Sequence, residues 1–184
     1  MVTAGSYWQH SESGENIPNS LYAATKLSFL SILDYYHRFR SLRYIELRLF
    51  DSFGAGDRRG KFLNLFDAIA SSGEPIDMTA GEQLLAPIHI DDVCSAFLTA
   101  ADRLDNRTEM DGAASYTAPG PELLSLKEIA SIYERVRGVT LNINWGGRPY
   151  PQGQIMRPYV GNPLPGWHPK INFESGLYDL YKNF

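Results

Sequence analysis

Tyr22 and Lys26 stand four residues apart in Leu21-Tyr22-Ala23-Ala24-Thr25-Lys26, at the start of a strongly helical stretch. Positions i and i+4 share a helix face, so the phenol and the ammonium reach into one small volume. A tyrosine with a pKa of about 10 is a poor base at neutral pH, but an adjacent ammonium favours the phenolate and draws it toward the working range. Upstream, Ser6-Tyr7-Trp8-Gln9-His10 offers a hydroxyl at Ser6 that could hold a substrate oxygen. Together these residues form a candidate proton-transfer site. Spacing alone is weak evidence, because Tyr178 and Lys182 repeat it near the C-terminus. The competing reading is an aromatic and a lysine whose stem covers apolar surface.

Three elements must position this set. Residues 2–8 read as the end of a buried strand and its loop, with only Met1 before them, so the chain is expected to enter a fold partway through. Residues 11–18 are polar and turn-rich, and Asn19 or Ser20 caps a helix running from about 20 to 40. Its apolar Leu21, Ala24, Leu27, Phe29, Leu30, Ile32, Leu33 and Tyr36 exceed one narrow stripe. Such a helix packs on a sheet on one side and on a second surface on the other, for which a copy of itself is one candidate. Residues 43–50 form the best strand of the chain and stop at the turn-rich 51–57. Strand, helix and strand in that order predict a parallel α/β sheet. Ligands of such sheets bind beyond the carboxyl ends of strands, which brings the Ser6 segment and the 51–56 loop to one pocket.

Downstream, residues 61–71 read as a helix with Phe62, Leu63, Leu65, Phe66 and Ile69 inward, closed by Ser72-Gly73-Glu74-Pro75. Residues 76–86 read as a short hairpin about Thr79-Ala80-Gly81, and 87–90 as a short strand or connector. Asp91 or Asp92 is expected to cap a helix with Val93, Ala96, Phe97, Ala100 and Leu104 inward and Cys94 as a small packing residue. A turn at Asp111-Gly112, a strand at 114–117 and a helix at 126–137 follow, the last opened by a Ser125/Glu128 capping box. Residues 139–145 alternate as a strand. The Gly/Pro-rich tail from 146 onward has too few periodic positions to form a core and should wrap over one. Trp145, Tyr150 and Trp167 then read as lids on that core in preference to base-stacking platforms.

The 184 residues suffice for one domain, or one domain and part of another, and 43% apolar with 21% charged residues is ordinary for a globular chain. A net charge of -4 offers no basic surface for nucleic acid. The single Cys94 excludes an internal disulfide, and the four histidines show no metal-ligand spacing, so no metal is expected. No apolar run approaches the roughly 18 residues of a membrane helix, and the N-terminus lacks the order of a signal peptide. The expectation is a cytoplasmic protein without a membrane partner.

Taken in order, Leu21-Tyr22-Ala23-Ala24-Thr25-Lys26, Arg48-Leu49-Phe50-Asp51-Ser52-Phe53-Gly54, Ile88-His89-Ile90-Asp91-Asp92-Val93, Leu124-Ser125-Leu126-Lys127-Glu128-Ile129 and Leu164-Pro165-Gly166-Trp167-His168-Pro169-Lys170 resemble the C-terminal portion of an extended short-chain dehydrogenase/reductase. The group resembled is the NAD-dependent epimerase/dehydratase family, which acts on nucleotide-linked sugars. Trp8-Gln9-His10 and the tail are most similar to its CDP-linked dideoxysugar reductases, such as abequose synthases. The fold implied is the C-terminal part of a Rossmann-like parallel sheet plus a smaller mixed α/β substrate-binding region. Residues 1–57 would carry the Tyr-x-x-x-Lys helix and 58–184 the substrate-binding region, with 87–104 packing back on the first part.

The resemblance implies Tyr22 as acid/base toward a sugar oxygen, and Lys26 as the residue that lowers its pKa and bonds the nicotinamide ribose. It places Phe50, Asp51 and Phe53 beside an NAD or NADP cofactor, and Lys61, Asn64, Gln83 and Arg148 toward the sugar nucleotide. The family's hydroxyl position falls on Ala4, with Thr3 and Ser6 on either side; Ser6 is preferred as nearest the strand end, and a serine capping a turn is the competing reading. The family also pairs helices like 20–40 into homodimers. Three departures accompany these matches. The glycine-rich cofactor turn is absent from the chain, and Leu85 and Pro151 stand where many relatives carry phosphate-binding arginines. Arg58, Arg59, Lys61, Arg148 and Arg157 are candidate substitutes. The expected function is therefore part of an NAD(P)-dependent nucleotide-sugar epimerase, dehydratase or reductase. The alternatives are a catalytically incomplete sugar-nucleotide-binding or dimerisation module, and a truncated product. His89, in an apolar connector, reads first as a structural residue.

Overall fold

The computed structural model describes residues 1–106 and 112–182. The chain opens with β1 (Val2–Ser6), a one-turn 3-10 helix (Tyr7–Gln9), α1 (Leu21–Arg40), β2 (Tyr44–Leu49), β3 (Ser52–Phe53) and α2 (Phe62–Ser72). It continues through β4 (Ile76–Met78), β5 (Leu84–Leu85), β6 (Ile88–His89), α3 (Ile90–Asp105) and β7 (Ala113–Ala118). The last elements are β8 (Leu124–Ser125), α4 (Leu126–Arg137), β9 (Ile143–Trp145) and α5 (Phe173–Tyr181). Of the turn expected at Asp111-Gly112, Asp111 lies outside the described residues, while Gly112 takes the left-handed φ of +71° just before β7.

The central sheet is parallel throughout, in the order β1-β2-β7. Side chains alternate along β2. Ile45 and Leu47 join a core with Val93, Ala96, Ala100 and Leu104 of α3. On the other face Tyr44 bonds Asp34 of α1 through its hydroxyl. Glu46, buried on that side, accepts from Gln9 Nε2 at 3.0 Å and from Arg48 Nε at 2.9 Å, so both carboxylate oxygens are bonded. This buried polar chain fixes the turn that leaves β1. Helix α1 starts as expected, with Ser20 Oγ accepting from Ala23 N at 3.2 Å, and its basic His37, Arg38 and Arg40 lie in the last turn, where the helix dipole favours them.

A second core unites Phe53, Phe66 and Ile69 with Leu126, Ile129 and Tyr133 of α4 and Phe173 and Leu177 of α5. Asp67 of α2 clamps it, accepting from Tyr133 at 2.6 Å and from Tyr181 at 2.9 Å. Helix α4 has the expected bounds and capping box.

Six expectations are corrected. Residues 76–86 form no hairpin: β4 pairs in parallel with β9, and β5 pairs antiparallel with β8. The apolar residues of that stretch are satisfied by distant strands, which local periodicity does not reveal. Residues 52–53, read as loop, pair with Ile88-His89. Helix α3 is capped by His89, whose Nδ1 accepts from Asp91 N at 3.3 Å, and not by an aspartate. Asp92 is instead buried and accepts from Lys170 N and Ile171 N, fastening the tail across α3. Cys94 is exposed, because Val93, Ala96 and Ala100 take the inward positions. Only Ile143–Trp145 of 139–145 is strand, and the tail ends in a helix, α5, capped by Asn172.

Candidate active site

The three parallel strands end in one row, because Ser6 pairs with Leu49 and Leu49 with Ala118. Beyond that row the chain turns sharply. Ser6 Oγ accepts from Trp8 N at 3.3 Å while Gln9 Oε1 accepts from Ser6 N at 2.6 Å, a reciprocal cap that leaves Ser6 only 8% exposed. The hydroxyl therefore has the turn-capping role. From β2 the chain passes into Phe50 and Asp51, and Tyr7 stacks on Phe50 with ring centroids 4.9 Å apart.

Between these two turns and α1 lies a cavity of about 490 Å³, on which Ser6, Tyr7, Tyr22, Phe50, Asp51 and Lys61 meet. Tyr22 stands on its wall, 53% exposed, with the Trp8 ring edge-on at 6.3 Å. Lys26 lies behind it, 5.8 Å from the Tyr22 ring centroid, and its Nζ donates to the Ala4 carbonyl at 3.0 Å. The ammonium is thus held against the middle of β1 while Tyr22, one helix turn earlier, reaches the cavity wall.

The charges beside them are partly desolvated. The Tyr7 hydroxyl donates to Asp51 Oδ2 at 3.0 Å. Burial pushes the Asp51 carboxyl above the usual carboxylate range, opposed first by the nearby Lys61 ammonium and then by the Tyr7 bond. Burial and the Asp51 charge in turn hold the Tyr7 phenol far above its ordinary value, so it remains a protonated donor. Lys61 is drawn below the ordinary lysine value by burial, with Asp51 working against the shift. Arg59 is committed elsewhere: it forks onto Asp57 at 2.7 and 2.6 Å and reaches Ser52 Oγ at 3.2 Å, holding the Asp57 carboxyl low.

The residues singled out in the sequence are partly gathered. Ser6, Tyr22, Phe50, Asp51 and Lys61 share the first cavity, with Lys26 behind. Gln83 lines a second cavity of about 380 Å³, which the first meets across Tyr7, Trp8, Asp51 and Phe62. Phe53 and Asn64 line a third, of about 260 Å³, on the far side of Lys61. There Phe53 belongs to the second core and Asn64 Nδ2 donates to the Asp57 carbonyl at 3.0 Å. Arg148 is exposed beyond β9, its backbone N–H donating to Met78. Leu85 and Pro151 both line the second cavity, to which no lysine or arginine among the described residues contributes. Sequence reasoning passed over Tyr7, although an aromatic directly after the strand end was the available signal.

The model of the NAD dependent epimerase/dehydratase family matches residues 5–111. CDP-abequose synthase from Yersinia pseudotuberculosis is 28% identical over 158 residues, covering 85% of this chain and 54% of that protein. The CDP-abequose synthase of Salmonella typhimurium is 27% identical over 167 residues, covering 88% and 55%. The chain thus spans about half the length of the curated relatives it matches. Among solved structures, MoeE5 in complex with UDP-glucuronic acid and NAD superposes with a TM-score of 0.80 at 22% identity, covering 99% of this chain and 64% of that one. UDP-glucuronic acid 4-epimerase from Bacillus cereus, in complex with UDP-glucuronic acid and NAD, gives 0.81 at 21%, covering 99% and 61%. These likenesses show the Rossmann-type fold of the sheet, and the family model, matching more than half of the residues, shows that the chain belongs to the NAD dependent epimerase/dehydratase family.

Proposed function

We propose that these residues supply the proton-transfer and sugar-binding part of an NAD(P)-dependent enzyme that acts on a nucleotide-linked sugar by hydride transfer. The observation that carries this reading is the placement of Tyr22 on a cavity lined by the carboxyl ends of β1 and β2, with Lys26 behind it on the same helix, bonded to Ala4 of β1. Tyr22 exchanges a proton with the reacting sugar oxygen, and Lys26, held by Ala4, stabilises its phenolate. Ser6 shapes the turn that presents Trp8 to Tyr22. Bound NAD or NADP would supply the hydride exchange. The described residues fit its nicotinamide-ribose end, where Tyr22 and Lys26 offer a hydroxyl and an ammonium beside Phe50 and Asp51. They do not build a pyrophosphate cradle: among them, no strand of the parallel sheet runs through a glycine turn directly into an α-helix.

The likeness to CDP-abequose synthases supports a CDP-linked sugar as substrate, with epimerisation, dehydration and keto-sugar reduction as the reactions open to this site. The packing of α3 on β1 and β2 supports grouping 87–104 with residues 1–57, and the rest of 58–184 with the substrate. A single exposed cysteine suits a reducing, cytoplasmic setting. No described helix is long and apolar enough to cross a membrane. The test is turnover of CDP- and UDP-hexoses with NAD(H) and NADP(H) in the intact enzyme. Tyr22→Phe should lose about a hundredfold or more in kcat with cofactor affinity nearly unchanged. Tyr178→Phe, at the matching spacing, should lose nothing; full activity of Tyr22→Phe would end the proposal.

A second reading rests on the outer face of α1, where Leu21 is 83% and Phe39 65% exposed and Phe29, Ile32 and Tyr35 are exposed between them. An apolar face of this extent marks an interaction surface. The partner proposed is a second copy of the chain, paired through the 20–40 helix.

A further inference from the structure

The segment from Ala4 to Trp8 meets α1 at both of its ends. Lys26 Nζ donates to the Ala4 carbonyl at 3.0 Å, and the Trp8 ring stands edge-on to Tyr22 at 6.3 Å. The turn between these two contacts sets how they are spaced, and it is gripped from inside the protein. Ser6 N donates to Gln9 Oε1 at 2.6 Å, Gln9 Nε2 donates to Glu46 Oε1 at 3.0 Å, and Arg48 Nε donates to Glu46 Oε2 at 2.9 Å. Gln9 and Glu46 are both buried.

In this chain every donor meets an acceptor, which leaves the Gln9 amide one orientation: its oxygen must face Ser6 N and its nitrogen must face Glu46. Gly5 supplies the room. A Cβ there would lie 2.7 Å from Gln9 Oε1 and 2.7 Å from Glu46 Oε1, so a larger residue would push the pair apart. Stability is a weak reason for such an arrangement, because taking the Glu46 and Arg48 charges out of water offsets most of their attraction. Apolar side chains would fill the same space without that cost. What the bonds do supply is a single geometry for the turn that carries Tyr7 and Trp8 onto the cavity wall.

We propose that Gln9 and Glu46 are positioning residues for proton transfer at Tyr22: their bond fixes the turn from Ser6 to Trp8, and with it the placement of the Tyr22 phenol on the cavity. Neither side chain lines that cavity. They act through Ser6, whose N–H Gln9 holds and whose hydroxyl accepts from Trp8 N, and through the Trp8 ring against Tyr22. The inference rests on the reading of Tyr22 as the acid/base of a nucleotide-sugar enzyme.

An exchange of the two side chains in the intact enzyme tests it, with turnover of CDP- and UDP-hexoses measured in NAD(H) or NADP(H) and referred to the folded fraction from urea unfolding. Glu46→Gln keeps size and shape but adds a donor and removes an acceptor, so one of the three bonds must be given up. It should lower kcat at least about tenfold, since a small misplacement of a reacting group is costly. Calorimetric affinity for the same sugar nucleotide should stay within about threefold of wild type. The double variant Gln9→Glu/Glu46→Gln reverses the direction of the central bond and rebuilds all three, with the carboxylate moved to position 9. It should return kcat to within about threefold of wild type. Wild-type kcat in folded Glu46→Gln overturns the inference and leaves the nucleotide-sugar reading standing, as does a folded double variant no faster than Glu46→Gln. Failure of the wild type to turn over any of the sugar nucleotides overturns the nucleotide-sugar reading, and the inference with it.

Discussion

Lys26 donates from Nζ to the main-chain carbonyl of Ala4 at 3.0 Å, joining the helix that bears Tyr22 to the strand whose end floors the cavity. The bond fixes the ammonium beneath the Tyr22 ring, at 5.8 Å from its centroid. One side chain thereby ties α1 to β1 and sets a cation beside the Tyr22 ring.

Lys26→Met keeps most of the aliphatic stem and removes the charge. Loss of a part-buried, charge-assisted hydrogen bond should cost about 1.5 kcal/mol, read as a lower denaturant midpoint at unchanged slope. The proposed role in turnover adds a loss of about tenfold or more in kcat. A variant with wild-type stability and turnover would show that the bond does neither.

Gly120 passes so close to the neighbouring chain that its N–H donates to Ala86 at 3.2 Å and a Cβ would sit 1.8 Å from the Pro87 carbonyl oxygen. That oxygen is backbone and is not free to move aside. Gly120→Ala should destabilise by about 2 kcal/mol or more, or prevent folding, as measured by urea unfolding. Wild-type stability would mean that the β7 exit and the 86–87 segment are less tightly apposed.

His10 is buried next to Arg48, and burial first, then the guanidinium, lowers its pKa from the ordinary 6.5. Neither ring nitrogen has a partner in hydrogen-bonding geometry. The unfolded chain consequently binds more protons than the folded one between the lowered value and 6.5, and stability rises with pH across that window. Stability should be complete above 6.5 and fall as the solution is acidified below it. Melts between about pH 5 and pH 8 should show this slope, and His10→Phe should flatten it. An unchanged slope in the variant would assign the pH dependence to other groups.

For α1, replacing Ile32 and Phe39 with lysine should convert the proposed dimer to monomer without altering the cores, since both side chains are exposed. Sedimentation equilibrium reads the change. A wild-type protein that stays monomeric at about 100 μM would remove the dimer proposal.

Much of the layout was legible because it is local. The Ser20 cap and the Ser125/Glu128 capping box mark their helices within a single turn of chain, and α4 begins and ends where its sequence says. The apolar excess of α1 announced a face left uncovered by the sheet. Partners in the small sheets were not legible, since Ile76-Met78 and Ile143-Trp145 are far apart in sequence and neither contains a sign of the other. Asp91 and Asp92 looked alike as helix caps; only the tail, arriving from Lys170, decides that Asp92 is buried.

By itself the sequence determined which groups are available at the site, Tyr22 and Lys26 on one helix face and a hydroxyl at Ser6, because helix periodicity and residue chemistry are properties of the local chain. It also carried the parallel α/β order. Tertiary structure decided how those groups are spent. Ser6 caps the turn to Trp8, Lys26 is bound to Ala4, and Tyr7, unremarkable in one dimension, is the residue that holds Asp51 at the meeting of two cavities. The reason is physical: hydrogen-bond partners and desolvation depend on which segments pack together, and residues 7 and 51 meet only when β1 and β2 lie side by side.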